Sequence, residues 1–209
     1  MNRLTIVALS SLLGFVAQAA PRPDAQSDWP CRQAKVTSVA VAGVWTGPPI
    51  EDAAKRVRED PALADLVARL AARRTSVEEA QALIDDFAKT AGDNRKERLT
   101  ALFAGVYERL EAERREVLDG LDRYGAKQKQ LAETLREKTQ ALRAEQDKTP
   151  PDAQQIEHAR KIKEASEALQ WDMRVFDERR HALSYVCEAP ALIEQRLGAL
   201  ARAIEAGID

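Results

Sequence analysis

The side chains able to do chemistry are few and scattered. Only two histidines occur, His158 and His181, both in one helical stretch and far apart along it. They cannot share a metal within one chain. Asp177 and His181 stand at i, i+4 and could touch, which suits a pair on a solvated helix better than a metal site. No HExxH, GxSxG, Walker A or GxGxxG pattern occurs. Carboxylates alternate with Arg and Lys, as in Glu111 with Arg115, Asp119 with Arg123 and Glu157 with Lys161. Such spacings give surface ion pairs of a few tenths of a kcal/mol each. The expectation is therefore a protein that is not an enzyme and takes no cofactor and no metal.

The two cysteines, Cys31 and Cys187, lack the spacing of a metal or redox motif. An even count behind an export signal predicts one structural disulfide. It would pin an extended N-terminal segment onto a helix near the C-terminus.

The export signal is Met1 to Ala19. Arg3 supplies the charge, Leu4 to Val16 the apolar core, and Ala17-Gln18-Ala19 a small-x-small cleavage site. The apolar run is short of the roughly 20 residues a spanning helix needs. The mature chain is thus expected outside the cytoplasm, in the periplasm or secreted, with no membrane insertion after cleavage.

Composition sets the frame for these residues. Of 209 residues, 32 are basic and 34 acidic, leaving a net charge of -2. Between Asn94 and Asp147 there are 12 basic and 11 acidic residues. No basic stripe results, so nucleic acid is not an expected partner. The 37 alanines and 22 arginines favour helix.

The elements follow from caps and periodicity. Residues 20–50 should be extended and docked by the disulfide, with Trp29 and Trp45 as docking side chains. Val36 to Trp45 alternates like a strand but has no partner strand, so it reads as a docked extended segment or a helical turn. From Glu51 the pattern is helical. Asp60-Pro61 caps one helix, Thr75 with Glu78 opens another, and Gly92 stops it. Asn94 begins an uninterrupted run to Asp147, roughly 80 Å as one helix. Its expected seam is Leu99, Phe103, Val106, Leu110, Glu113, Val117, Leu121, Tyr124, Gln128, Leu131, Leu135, Lys138 and Leu142, with a stutter between Val117 and Leu121.

Thr149-Pro150-Pro151-Asp152 should break the chain tightly, with Thr149 as N-cap. The returning seam would be Ile156, Ala159, Lys163, Ser166, Leu169, Met173, Phe176, Arg180, Leu183 and Cys187. Counting from that turn places Leu142 opposite Ile156 and Tyr124 opposite Met173. A last helix should return along Leu99 to Leu110.

The fold class is all-α: a small helical head (51–112 with 186–209) and a long antiparallel coiled-coil-like hairpin (113–185) projecting from it. Trp171, off the seam, is a candidate contact residue. Gly120 and Gly125, inside the long helix, are candidates for a hinge or a close-packing point. The function class that fits is an exported interaction protein, an adaptor or accessory subunit of a cell-envelope complex, with a protein partner. The alternative is a periplasmic holdase-type chaperone, which also uses helical arms. The hairpin further offers a surface for a second copy of the chain.

Overall fold

The computed structural model describes residues 28–208; the segment expected to be an export signal lies outside them. Six α-helices follow a partly extended start: α1 (Ala53–Glu59), α2 (Pro61–Ala71), α3 (Val77–Thr90), α4 (Arg95–Gln146), α5 (Gln155–Val186) and α6 (Ala189–Ala206). Among the described residues there is no strand.

Local chemistry sets the helix ends. The Asp60 carboxylate accepts from the Ala62 and Leu63 amides at 3.0 and 3.1 Å, and Pro61 takes the first helical position of α2. The cap of α3 is Ser76, one residue later than expected, accepting from Glu79 N at 3.1 Å. Thr75 is buried instead, its hydroxyl donating to the Arg69 carbonyl at 2.8 Å. Thr75 is thus spent on closing the α2–α3 corner. Gly92 ends this stretch at φ 60, a conformation a Cβ would strain. Asn94 makes no side-chain cap, and a 3-10 turn at Gly92–Asn94 leads straight into α4.

The head is built around the first turns of α4. Leu99, Leu102, Phe103, Val106 and Leu110 are almost wholly buried. Leu63, Leu66, Val67 and Leu70 of α2 cover one side. Ile84 of α3 and Ile193, Leu197, Leu200 and Ile204 of α6 cover the other. Each such side chain stabilises the head by roughly 1.5–3 kcal/mol. Gly105 lets α1 and α2 approach closely, since a Cβ there would lie 2.7 Å from Val67 and 3.0 Å from Val57.

Beyond the head, α4 and α5 form the antiparallel hairpin. It is a single pair of helices, and past Gly125 only Leu135 and Leu169 are buried before Cys187. No described helix is long and apolar enough to cross a membrane.

The hairpin differs from expectation in seam and register. On α4 the buried positions after Leu110 and up to Gly125 are Glu111, Arg114, Leu118, Leu121 and Gly125, not Glu113, Val117 and Tyr124. The four-residue steps fall directly after Leu110, because this face receives the N-terminal segment as well as α5. On α5, Ile156 is 88% and Met173 50% exposed, and Ile162 rather than Lys163 turns inward. Tyr124 donates to the Arg179 carbonyl at 2.9 Å rather than facing Met173. Leu142 packs near Ile162 and Ala165 rather than Ile156. The cause is the connection. Thr149 and Pro150 are not a helix start; Asp147 to Pro151 is a wider loop, and a 3-10 turn (Asp152–Gln154) precedes α5. That displaces the register toward the C-terminal end of α5.

Candidate functional site

Two features stand out: a strap laid over the hairpin base, and the arm beyond it. Among the described residues the strap runs from Asp28 toward the head. Cys31 and Cys187 are disulfide-bonded with Cα atoms 5.6 Å apart, closing a separation of 156 residues. The Gln33 side-chain amide donates to the Cys187 carbonyl. Trp29 is partly buried and its indole donates to the Gln33 carbonyl at 2.7 Å, holding a tight local turn. Lys129 pairs with Asp28 at 3.0 Å and Lys35 with Asp122 at 2.5 Å, stitching strap to α4.

Gly125 shows why the strap can lie so close. A Cβ there would overlap the Asp28 carbonyl oxygen and come within 2.9 Å of its carbon and 3.2 Å of Pro30 Cδ. Gly125 is therefore a close-packing point. Gly120 differs: a Cβ would meet only the Arg123 guanidinium at 3.9 Å. The helix passes through both glycines without a break.

Further down, three α4 side chains replace a missing strand. Tyr107 donates to the Val39 carbonyl at 2.7 Å, and Glu111 accepts from the Val39 amide at 3.3 Å. Arg114 donates to the Val36 carbonyl at 2.6 Å and to Glu194 of α6 at 2.7 Å. Spacings of four and three put Tyr107, Glu111 and Arg114 on one helix face. The Arg114 side chain is 2% and the Glu111 side chain 9% exposed, and Arg114 Nη1 lies 4.0 Å from Glu111 Oε1. Glu111 Oε2 and Arg114 Nη1 have no hydrogen-bond partner. Burial, followed by the nearby Glu111 charge, raises the Tyr107 hydroxyl above its ordinary value.

Charge pattern along α4 concealed this clamp. Glu111 with Arg115 suggested a surface pair, yet Glu111 turns inward toward Arg114. The available signal was that Tyr107, Glu111 and Arg114 share one face next to the apolar seam. The strap then enters the head through a 3-10 turn at Val41–Gly43, and Trp45 stacks on Phe103 with ring centroids 4.0 Å apart. The Trp45 indole donates to the Pro48 carbonyl at 2.8 Å. Trp45 is a core residue, 5% exposed.

The arm presents grooves on both flanks of its seam. One, of about 300 Å³, is floored by Ala141, Leu142, Ile162, Ala165, Ala168 and Leu169. The other, of about 400 Å³, is lined by Ala132, Leu135, Thr139, Met173 and Phe176 with Arg136, Arg143 and Asp177. Trp171 points away from the seam, 61% exposed, with the Arg174 guanidinium 5.4 Å from its ring. At the tip, His158 lies 3.0 Å from the Glu145 carbonyl and 3.4 Å from its carboxylate. A hydrogen bond from Lys148, then the charges of Lys148, His158 and Lys161, hold the Glu145 carboxyl below the usual range. Glu157 is lowered too, first by its hydrogen bond from Arg160. Asp177 pairs with Arg180 at 3.2 Å, not with His181.

Among the described residues no group of three His, Cys, Asp or Glu could hold a metal. A head cleft of about 430 Å³ is lined by Ala68, Ala71, Ala72 and Ala112 and edged by the Arg73–Glu113 pair. The arrangement can bind surfaces: it offers apolar strips between rows of paired charges. Compared with protein-family models, curated proteins and solved structures, the chain matches none.

Proposed function

We propose that this protein is an exported interaction protein, an adaptor or accessory subunit of a cell-envelope complex, that contacts a protein partner through its helical arm. The observation that carries the reading is the imbalance along the hairpin. Its outer part buries only Leu135 and Leu169, yet α4 and α5 stay unbroken and paired. Ordering each residue opposes folding by about 1–2 kcal/mol. An element that returns so little burial is retained for reach.

Placement outside the cytoplasm belongs to the same reading. The N-terminal signal pattern supports it, and so does the disulfide, since such bonds persist in oxidising compartments. The apolar grooves between charged rims suit a partner helix laid along the arm. The balanced charge supports complementarity with one partner over general attraction to polyanions.

Affinity capture of the tagged mature protein from its native envelope tests this. One stoichiometric partner is the expected result. A broad spread of unfolded clients would overturn the adaptor reading and favour a holdase.

A further inference from the structure

The back of α5, opposite the seam, carries a second three-four repeat: Glu157, Arg160, Glu164, Glu167, Trp171, Arg174, Glu178, His181 and Tyr185. We infer that this face pairs antiparallel with the same face of a second copy, about a twofold axis beside Leu169. In an antiparallel coiled coil each residue of one kind of seam position packs in a layer with the other kind on the facing helix. A twofold at Leu169 then makes the layers Glu157 with His181, Arg160 with Glu178, Glu164 with Arg174, and Glu167 with Trp171, each occurring twice. Beside the seam, Lys163 faces Asp177. In each of these pairs that joins two formal charges, the signs are opposite.

Intramolecular pairing leaves gaps that this register fills. Arg160 bridges Glu157 and Glu164 at 2.6 Å within its own helix, and Lys163 approaches Glu167 at 4.0 Å. Among the described residues neither Arg174 nor Glu178 is in an ion pair, and Arg174 rests over Trp171. Across the twofold, Arg174 meets Glu164 and Glu178 meets Arg160 of the second copy. Trp171, one of two exposed aromatics on the face with Tyr185, meets Ala168 and the Glu167 stem. The small Ala168, which lies beside the axis, leaves room for the ring.

The overlap runs from Glu157 to His181, about 38 Å of helix. A strip of that length is narrow, and most of its layers are charged. It belongs with weak, reversible interfaces, and its attraction is screened by salt. The inference is separate from the proposed partner contact in its centre, the back of α5, while Ala168 and Asp177 at its edges also line the two grooves.

Sedimentation of the purified mature protein tests it, with concentrations up to about 1 mM to reach a weak interface. The weight-average mass should climb toward twice the monomer at low salt and fall back near 1 M salt. Glu164→Arg and Arg174→Glu should each return the protein to monomer. The double variant should dimerise again, because the twofold sets each new charge against the other. Ala168→Cys should give a covalent dimer on mild oxidation, and Ala159→Cys should not. A monomer at every concentration overturns the inference. So does a dimer indifferent to both charge changes, or a failure of the double variant to recover while its helix content stays native.

Discussion

Two glycines in the same helix should respond to alanine with opposite signs. At Gly120 a Cβ meets nothing nearer than an arginine tip at 3.9 Å, so Gly120→Ala gains helix propensity alone, about 1 kcal/mol. For a chain of this size that raises the melting temperature by about 2–4 °C. Gly125→Ala gains the same propensity, but the new methyl collides with the strap backbone at Asp28 and touches Pro30 at 3.2 Å. Overpacking of this kind costs about 1–3 kcal/mol. Cys31 follows Pro30 directly and is bonded to Cys187, so the strap cannot step aside. The net effect is a loss of up to about 2 kcal/mol. In a Cys31→Ser background the strap is free to move, and Gly125→Ala should then be neutral or stabilising. Thermal melts by circular dichroism of the four proteins decide it. Equal rises for both glycine variants would refute the close contact. A loss at Gly125 that persists without the disulfide would refute the tether.

Arg114→Ala leaves Glu111 buried without its counter-charge and frees the Val36 carbonyl. A loss of about 3–5 kcal/mol is expected in denaturant unfolding. Acid should loosen the arm tip first. Glu145 and Glu157 have folded-state pKa values below their unfolded ones, so their contribution is present above about pH 4.3 and is lost as pH falls through the depressed values. Helix content by circular dichroism should fall below that pH, and Glu145→Gln with Glu157→Gln should flatten the change. Small-angle scattering should give a radius of gyration well above the roughly 17 Å of a compact chain of this length. A compact value would mean the arm folds back.

Much of the head and hairpin could be read from caps and periodicity, because those signals are local. Asp60-Pro61, Gly92 and the run free of proline from Asn94 act through neighbouring residues only. The disulfide was legible from the even cysteine count read together with the expected export. The register was not. It depends on how many residues the tip connection spans, and Thr149-Pro150 resembles a helix start that the fold does not use. The clamp of Tyr107, Glu111 and Arg114 was hidden for another reason. Its partners on the strap are backbone atoms, 68 to 78 residues away, and backbone atoms leave no mark in sequence pattern. Gly125 carried a signal whose meaning needed the strap in place. Trp171 and Trp45 were singled out alike, yet one lies on the surface and the other in the core, because only Trp45 has Phe103 to stack on.

The most direct test of function through the arm is to shorten it without touching the head. Deleting residues 130–143 together with 161–174 removes two heptads from each helix in the observed register, where Leu135 and Leu169 are the buried pair. The clamp, the disulfide, the tip loop and the core around Leu99 to Leu110 remain. The shortened protein should be exported, melt cooperatively and fail to recover the partner that the intact protein captures at one-to-one stoichiometry. Undiminished recovery of that partner by the folded short-arm protein would contradict the account and move the contact to the head.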